Sequence, residues 1–287
     1  MAVNYRAWTI KQKIARVLLY IVMIGLVMLI ALPLYYMIIT SLKPLDELVK
    51  FPPEFIVRRP TLQNFADLMA ALDGSAVPFV RYIFNSVITV LVTVLLSLVI
   101  CTMGSYGLVK HKVLFGNFWF ALIIAALMFS PHVTQIPSYI VVTGMHMTDT
   151  YWALILPKIA VAFNFFLMKQ FVEQLPDAFL EAARIDGASE FTIFRKVVLP
   201  FLGPACATLV VFSFVANWND SSGSLIFITN QALKTFPYAL SSINESGTLA
   251  RAGAVGAATV LAVIPTILVF MLMQKKVIET MVYSGLK

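Results

Sequence analysis

The chain is short of charge. Asp, Glu, Lys and Arg make up 12% of its 287 residues, against roughly 25% in an ordinary soluble domain. Beside a 60% hydrophobic share, that shortage points to membrane. Cysteine is scarce too: Cys101 and Cys206 lie in apolar stretches without a CxxC or a nearby His, which excludes a disulfide framework and a thiolate metal site and leaves two small core residues. His111, His132 and His146 are scattered with no HExxH, and no Ser/His/Asp grouping occurs, so no catalytic residues and no metal ligands are expected. There is no GxxxxGK[ST], so the chain does not cradle nucleotide phosphates. The formal charge of +7 is spread between apolar runs instead of forming one basic patch, which argues against a nucleic-acid partner.

Long apolar runs are what the chain has. A transmembrane helix needs about 20 apolar residues, and six runs qualify: residues 17–39, 83–106, 119–142, 151–171, 201–227 and 254–273. The first is too long for a secretory h-region and ends in Pro33-Leu34-Tyr35-Tyr36, so it reads as an anchor. Six spans put both termini on one side. Thirteen Lys and Arg fall on the side of the termini and seven on the other, with Lys158 left inside the fourth span. The excess marks the cytoplasmic side, which holds both termini and the loop between the fourth and fifth spans. The outer loop, residues 41–80, contains Pro44, Pro52, Pro53, Pro60 and Pro78 and reads as a cap without its own core.

The cytoplasmic loop over residues 175–200 reads LPDAFLEAARIDGASEFTIFRKVVLP. Pro176 and Asp177 favour a helix start, and Asp177 with Glu181 places negative charge near the positive helix end. Gly187 suits a left-handed helix stop, and Ser189 can cap a second helix. Two short helices are expected, one ending near Asp186 and one over residues 190–199, with Pro200 opening the fifth span. Small residues beside Phe179 and Leu180 would let another protein approach the first helix closely.

This loop resembles the EAA loop of ABC importer permeases, through Glu181, Ala182, Ala183, Asp186, Gly187, Ala188, Phe194, Leu199 and Pro200. The resemblance implies a coupling helix seated in a groove of a cytoplasmic ATPase. It extends over Arg81-Tyr82, Asn85-Ser86, Ser105-Tyr106-Gly107, Ile136-Pro137, Asp149-Thr150-Tyr151, Leu156-Pro157 and Trp218-Asn219-Asp220, and is to the maltose-type, carbohydrate-uptake permeases. The chain departs from that pattern at Ser221-Ser222-Gly223-Ser224, where aromatic residues and a proline are usual, and in the tail Tyr283-Ser284-Gly285-Leu286-Lys287. Ser222 and Gly223 would widen a cavity for a bulky ligand.

Polar residues inside spans are costly and point to function. Asn85, Asn164, Asn217, Trp218, Asn219 and Asp220 are the candidate substrate-pathway residues, with interhelical hydrogen bonding an equal alternative for Asn164 and helix packing for Asn85. Lys158 reads as a snorkelling side chain. The resemblance implies that the outer loop around Asn244, Glu245, Ser246 and Gly247 contacts an external binding protein; an ordinary solvated loop fits equally.

The expected architecture is all-α, a polytopic membrane protein of six transmembrane helices with the MetI-like ABC permease fold. Residues 1–80 form the N-terminal cytoplasmic segment, first span and external loop, and residues 81–287 the permease core with the loop at 175–200. The resemblance implies a non-enzymatic permease of the bacterial cytoplasmic (inner) membrane, importing a carbohydrate, in particular an oligosaccharide. Its partners would be a second, different permease, two ABC ATPases that bind ATP and Mg, a solute-binding protein and membrane lipid; this chain would need no cofactor. A polyuronide or glycerol phosphate is the alternative cargo, and an ion-driven secondary transporter the alternative machine, though paired intramembrane carboxylates are lacking.

Overall fold

The computed structural model describes residues 10–73, 77–111, 113–245 and 252–284, and among them there is helix but no strand. In chain order the α-helices are α1 (Ile10–Leu42), α2 (Leu45–Leu48), α3 (Gln63–Asp73), α4 (Phe79–Lys110), α5 (Gly116–Ala126), α6 (Pro131–Gly144), α7 (Tyr151–Ile155), α8 (Ala162–Glu173), α9 (Asp177–Ile185), α10 (Glu190–Ile193), α11 (Leu199–Phe201), α12 (Gly203–Trp218), α13 (Ser222–Phe227), α14 (Phe236–Glu245) and α15 (Ala252–Ser284). Two compact units are present, Met1–Leu68 with Gly247–Val260, and Met69–Ser246 with Leu261–Lys287.

Among the described residues three helices are long and apolar enough to cross a membrane unbroken: α1, α4 and α15. The third, fourth and fifth spans, expected as single runs, are instead bent pairs. The bends are 111° between α5 and α6, 44° between Tyr151–Lys158 and α8, and 75° between Glu190–Phe201 and α12. Each break coincides with proline, which removes an N–H and clashes with the preceding turn. Pro131 opens α6, Pro157 sits in the 3-10 turn Leu156–Lys158, and Pro200 and Pro204 flank the break at Leu202. The break of the fifth span at Leu202 falls two residues after Pro200. Just before Pro200 the helix widens into a π turn over Phe194–Val198, as expected where an i→i−4 bond is lost.

Each bent pair still crosses the second unit, because its two ends meet opposite ends of α4. At the far end of α4, Lys110 donates to the Leu175 carbonyl at 2.6 Å, and near that end Phe120 of α5 stacks on Phe166 of α8. At the start of α4, Asn85 accepts a hydrogen bond from Tyr151 at 2.7 Å and donates to the carbonyls of Ala232 and Lys234 at 2.9 and 2.8 Å. The turn after α6 reaches the same end, where Asp149 accepts hydrogen bonds from the backbone N–H groups of Thr229 and Asn230 at 2.7 and 2.8 Å.

α4 packs most extensively against α8 and α12. Its inner face carries Asn85, Ser86, Thr89, Thr93, Ser97, Cys101, Thr102 and Ser105, all buried, at a spacing near four that keeps them on one stripe. Small hydroxyl residues allow close helix approach, and their hydroxyls are met by the helix's own carbonyls: Thr89 donates to Asn85 at 2.8 Å and Thr93 to Thr89 at 2.7 Å. At Gly104 a side chain is sterically excluded, since a Cβ would lie 2.8 Å from the Phe165 ring of α8.

In the first unit the outer loop is held by hydrogen bonds to its backbone. The Asn64 amide donates to the carbonyls of Ser41 and Lys43 at 2.8 and 2.7 Å, meeting orphan carbonyls beyond the last turn of α1. The buried Glu47 carboxylate accepts the backbone N–H groups of Arg58 and Arg59, both at 3.1 Å. Gly256 lies against the backbone at Thr40 and Ser41, and a Cβ at Gly253 would collide with Asn64.

Replacing Asn85 with Leu, which has a similar branched shape, deletes three hydrogen bonds at the start of α4. The expected cost is about 1–3 kcal/mol, since the Lys234 carbonyl loses its buried donor while the Ala232 carbonyl keeps only Arg81. A lower melting temperature in detergent and faster proteolysis between residues 228 and 236 are the readouts; an unchanged melting curve would remove Asn85 from this role.

Candidate functional site

The loop between the fourth and fifth spans folds as a compact knob. α9 ends in a Schellman arrangement: Gly187 adopts φ +76°, the Ala188 N–H reaches back to the Ala183 carbonyl and the Gly187 N–H to the Arg184 carbonyl, both at 3.0 Å. This is the 6→1 and 5→2 pair that satisfies the last carbonyls of a helix. Two residues later the Ser189 hydroxyl accepts the Thr192 N–H at 3.4 Å, capping α10.

The knob has an inner and an outer face. Leu180, Ile193, Val198 and Leu202 are buried in one cluster with Cys101 and Tyr106 of α4 and Met168 and Val172 of α8, and Ala183, Ala188 and Phe194 pack against that cluster. Glu181, Ala182, Asp186 and Gly187 face outward, beside Phe179, Ile185 and Phe191, which are 58%, 87% and 68% exposed. Leu199 and Pro200 lie exposed at the approach to the break. Of the nine motif positions, then, three pack inward and six are exposed.

One carboxylate fastens the knob. Glu190 accepts hydrogen bonds from Arg184 at 2.9 Å and Tyr106 at 3.1 Å, and His111 approaches it to 3.6 Å. Nearby, Lys110 reaches Asp177 at 2.7 Å. The hydrogen bond from Arg184 holds the Glu190 carboxyl below its ordinary value, with Tyr106 acting in the same direction. Because the folded value is depressed, this contribution is whole at neutral pH and is lost as pH falls through the folded value. Glu190 was not expected from the sequence, where it reads as an ordinary acidic first-turn residue after Ser189. Phe179, Ile185 and Phe191 were likewise not singled out as outward contacts.

Polar residues of the spans are mostly spent on the fold. Asn85 is fully engaged as described above. Asn164 is buried and donates to Ser213 at 2.8 Å and Ser97 at 3.4 Å, the interhelical alternative. Trp218 is buried, stacked on Phe214 with ring centroids 5.6 Å apart, and its indole N–H donates to the Ala262 carbonyl at 2.8 Å. Asn219 is exposed and donates to the Val215 carbonyl at 2.9 Å. Asn217 and Asp220 line a small cavity with Lys158, and Lys158 pairs with Asp220 instead of snorkelling. Asn244 and Glu245 end α14, whereas Ser246 and Gly247 lie outside the described residues. Among the described residues no group of three His, Cys, Asp or Glu is arranged to hold a metal.

Comparison with known proteins adds lineage to this geometry. Residues 79–282 match the family described as binding-protein-dependent transport system inner membrane component. The chain is 28% identical to an arabinooligosaccharides transport system permease protein of Bacillus subtilis, over 95% of this chain and 96% of that one. It is 30% identical to an sn-glycerol-3-phosphate transport system permease protein of Yersinia enterocolitica, over 90% and 92%. It also superposes with a TM-score of 0.79, at 20% identity and over 94% and 99% of the two chains, on a chain of a bacterial ABC transporter involved in import of the acidic polysaccharide alginate.

Glu190→Ala deletes the acceptor of Arg184 and Tyr106 while leaving the Ser189 cap. Trypsin is expected to cleave faster at Arg184 and Arg195, with the remaining spans still protected. Acidification of the unmodified protein through the depressed Glu190 value should produce the same loosening to an acid-active protease such as pepsin, and equal tryptic cleavage of the two proteins at neutral pH would contradict the clamp.

Proposed function

The chain belongs to the family of binding-protein-dependent transport system inner membrane components, and from that premise we propose that it carries an oligosaccharide through the cytoplasmic membrane as one of two permease subunits. As a permease component of an ABC importer it is a multi-pass inner-membrane protein and not itself an enzyme. The carbohydrate assignment draws on the arabinooligosaccharide relative and on the alginate transporter. An anionic cargo such as a polyuronide or glycerol phosphate is the second reading, favoured by the Yersinia relative.

The observation that carries the coupling role is the knob, with an apolar outer face of Phe179, Ile185 and Phe191 around Glu181, Ala182 and Asp186. Exposed apolar side chains grouped on a firmly held helix fit a groove in a partner. That partner is a cytoplasmic ATPase, which binds ATP and Mg itself. Two ATPases serve two different permeases, both termini of this chain are cytoplasmic, and a solute-binding protein delivers cargo from outside to the loop that includes Asn244, Glu245, Ser246 and Gly247. Nucleotide binding draws the ATPases together, the knobs follow, and the pathway rocks outward; hydrolysis resets it. Glu181, Ala182, Asp186 and Gly187 meet the ATPase, while Ala183, Ala188, Phe194, Leu199 and Pro200 shape the knob and its junction with the span. Asn217 and Asp220 remain the pathway candidates.

Two substitutions test the docking. Gly187→Pro destroys the φ +76° helix stop, and Asp186→Lys reverses an exposed charge without touching the knob's core. Both should abolish ATPase co-purification and ATP-driven uptake in vesicles while membrane insertion persists. ATPase retention in both, or uptake that follows an imposed ion gradient instead of ATP, would refute the proposal.

A further inference from the structure

Lys158 and Asp220 form an ion pair beside the break of the fourth span: Lys158 ends the 3-10 turn after α7, and Asp220 lies just beyond α12, before α13. Charged groups at membrane depth are rare, and they cluster at substrate pathways built from discontinuous helices. The carboxylate is fixed in place, since it accepts the backbone N–H groups of Ser222 and Gly223, both at 3.1 Å. The ammonium has three donor hydrogens. Asp220 is its hydrogen-bond partner among the described residues, so donors remain for a ligand.

The pair borders a cavity of about 10 Å³, whose lining adds the polar Thr89, Thr93, Asn217, Ser224 and Thr235 to the apolar Val90 and Leu154. Such a space holds about one water, which is also the size of one sugar hydroxyl. The five polar side chains are neutral hydrogen-bonding groups. Gly223 makes the arrangement sterically feasible: a Cβ there would lie 2.9 Å from an Asp220 carboxylate oxygen and 3.2 Å from the Lys158 nitrogen. The glycine therefore leaves room for the ion pair, where a side chain would press on both charged groups. The aromatic residues usual in this stretch of the permeases that the chain resembles would exclude the pair.

We propose that Lys158 is a cargo-contact residue of this subunit, and that Asp220 and Gly223 tune the site to a neutral, hydroxyl-rich saccharide in preference to an acidic one. The inference deepens the saccharide-permease reading and rests on it. A sugar hydroxyl can accept from the ammonium and donate to the threonines and Asn217. A carboxylate or phosphate would meet the Asp220 carboxylate, which cannot swing away without uncapping α13, and in a partly buried site that repulsion is stronger than in bulk water. With Lys158 neutralised, the site offers no net attraction for an anion.

The test uses the whole transporter, with partner permease and ATPases, in nanodiscs without the binding protein, so that the pathway alone selects. Arabinotriose, maltotriose and trigalacturonate are titrated, with ATPase co-purification as the assembly control. The unmodified complex should bind a neutral trisaccharide about tenfold or more tighter than trigalacturonate. Lys158→Met, which keeps the Asp220 cap, should weaken neutral binding about tenfold, the scale of one hydrogen bond to a charged group. Asp220→Asn, which leaves the ammonium uncompensated, should narrow or reverse the preference in a salt-sensitive way, a change that a merely structural ion pair would not produce. An assembled Lys158→Met complex that binds neutral sugar like the unmodified one overturns the proposal, as does an unmodified complex that prefers trigalacturonate. If Asp220→Asn does not assemble, Lys158→Met alone decides. Binding of no trisaccharide by the unmodified complex overturns the saccharide reading itself, and this inference with it.

Discussion

In a bilayer core there is no water to meet a polar group, so every N–H, carbonyl and hydroxyl must find its partner within protein. That constraint is met chiefly on α4, whose inner stripe of Asn, Ser and Thr turns its hydroxyls back onto its own carbonyls and lends its remaining donors to neighbours. Among the described residues no buried side-chain nitrogen or oxygen lacks a hydrogen bond. Small side chains on the stripe let α8 and α12 approach, as Phe165 does at Gly104. The same chemistry therefore satisfies the polar groups and sets the distance between spans.

The two ends of α4 inherit that role. At one end Tyr106, Lys110 and His111 hold the knob through Glu190, Asp177 and the Leu175 carbonyl. At the other Arg81, Asn85 and Ser86 hold the 232–236 segment, the last by accepting the Phe236 N–H at 2.8 Å. Both attachments pin backbone as well as side chains. Loss of a single apolar contact would leave either of them standing.

Much of this was legible before the structure because membrane chemistry is coarse. Apolar length marked all six crossings, and Gly187 and Ser189 marked where α9 stops and α10 starts to within a residue. Bends were not legible, since a bent pair and a straight span have the same composition; Pro157 and Pro204 hinted at them only as residues that tolerate several outcomes. Partnerships were hidden for a different reason. Lys158 and Asp220 are 62 residues apart in sequence, and neither carries a local sign of the other, so each read alone as a solitary charge. Glu190 was invisible because its donors, Arg184 and Tyr106, come from a neighbouring helix and from a span 84 residues away. Local patterns report caps and periods, whereas pairings across helices belong to the tertiary fold.

The contrast between the unbroken α4 and its bent neighbours bears on how motion would pass through the second unit. A helix of 32 residues is about 48 Å long at 1.5 Å per residue, stiff, and fastened to the knob at one end and to the 232–236 segment at the other. The third, fourth and fifth spans are each interrupted, near residues 127–130, 159–161 and 202. In the proposed cycle a rod beside jointed struts would divide labour: displacement of the knob would travel along α4, while the joints would absorb the backbone rotation that a rigid bundle resists. The Lys158–Asp220 pair bridges the fourth span beside its break to the region just beyond α12, so movement at that joint would reach the polar cavity. In the proposed transport cycle, the same movement that an ATPase imposes on Glu181 to Ala188 would therefore reshape the site that meets the cargo.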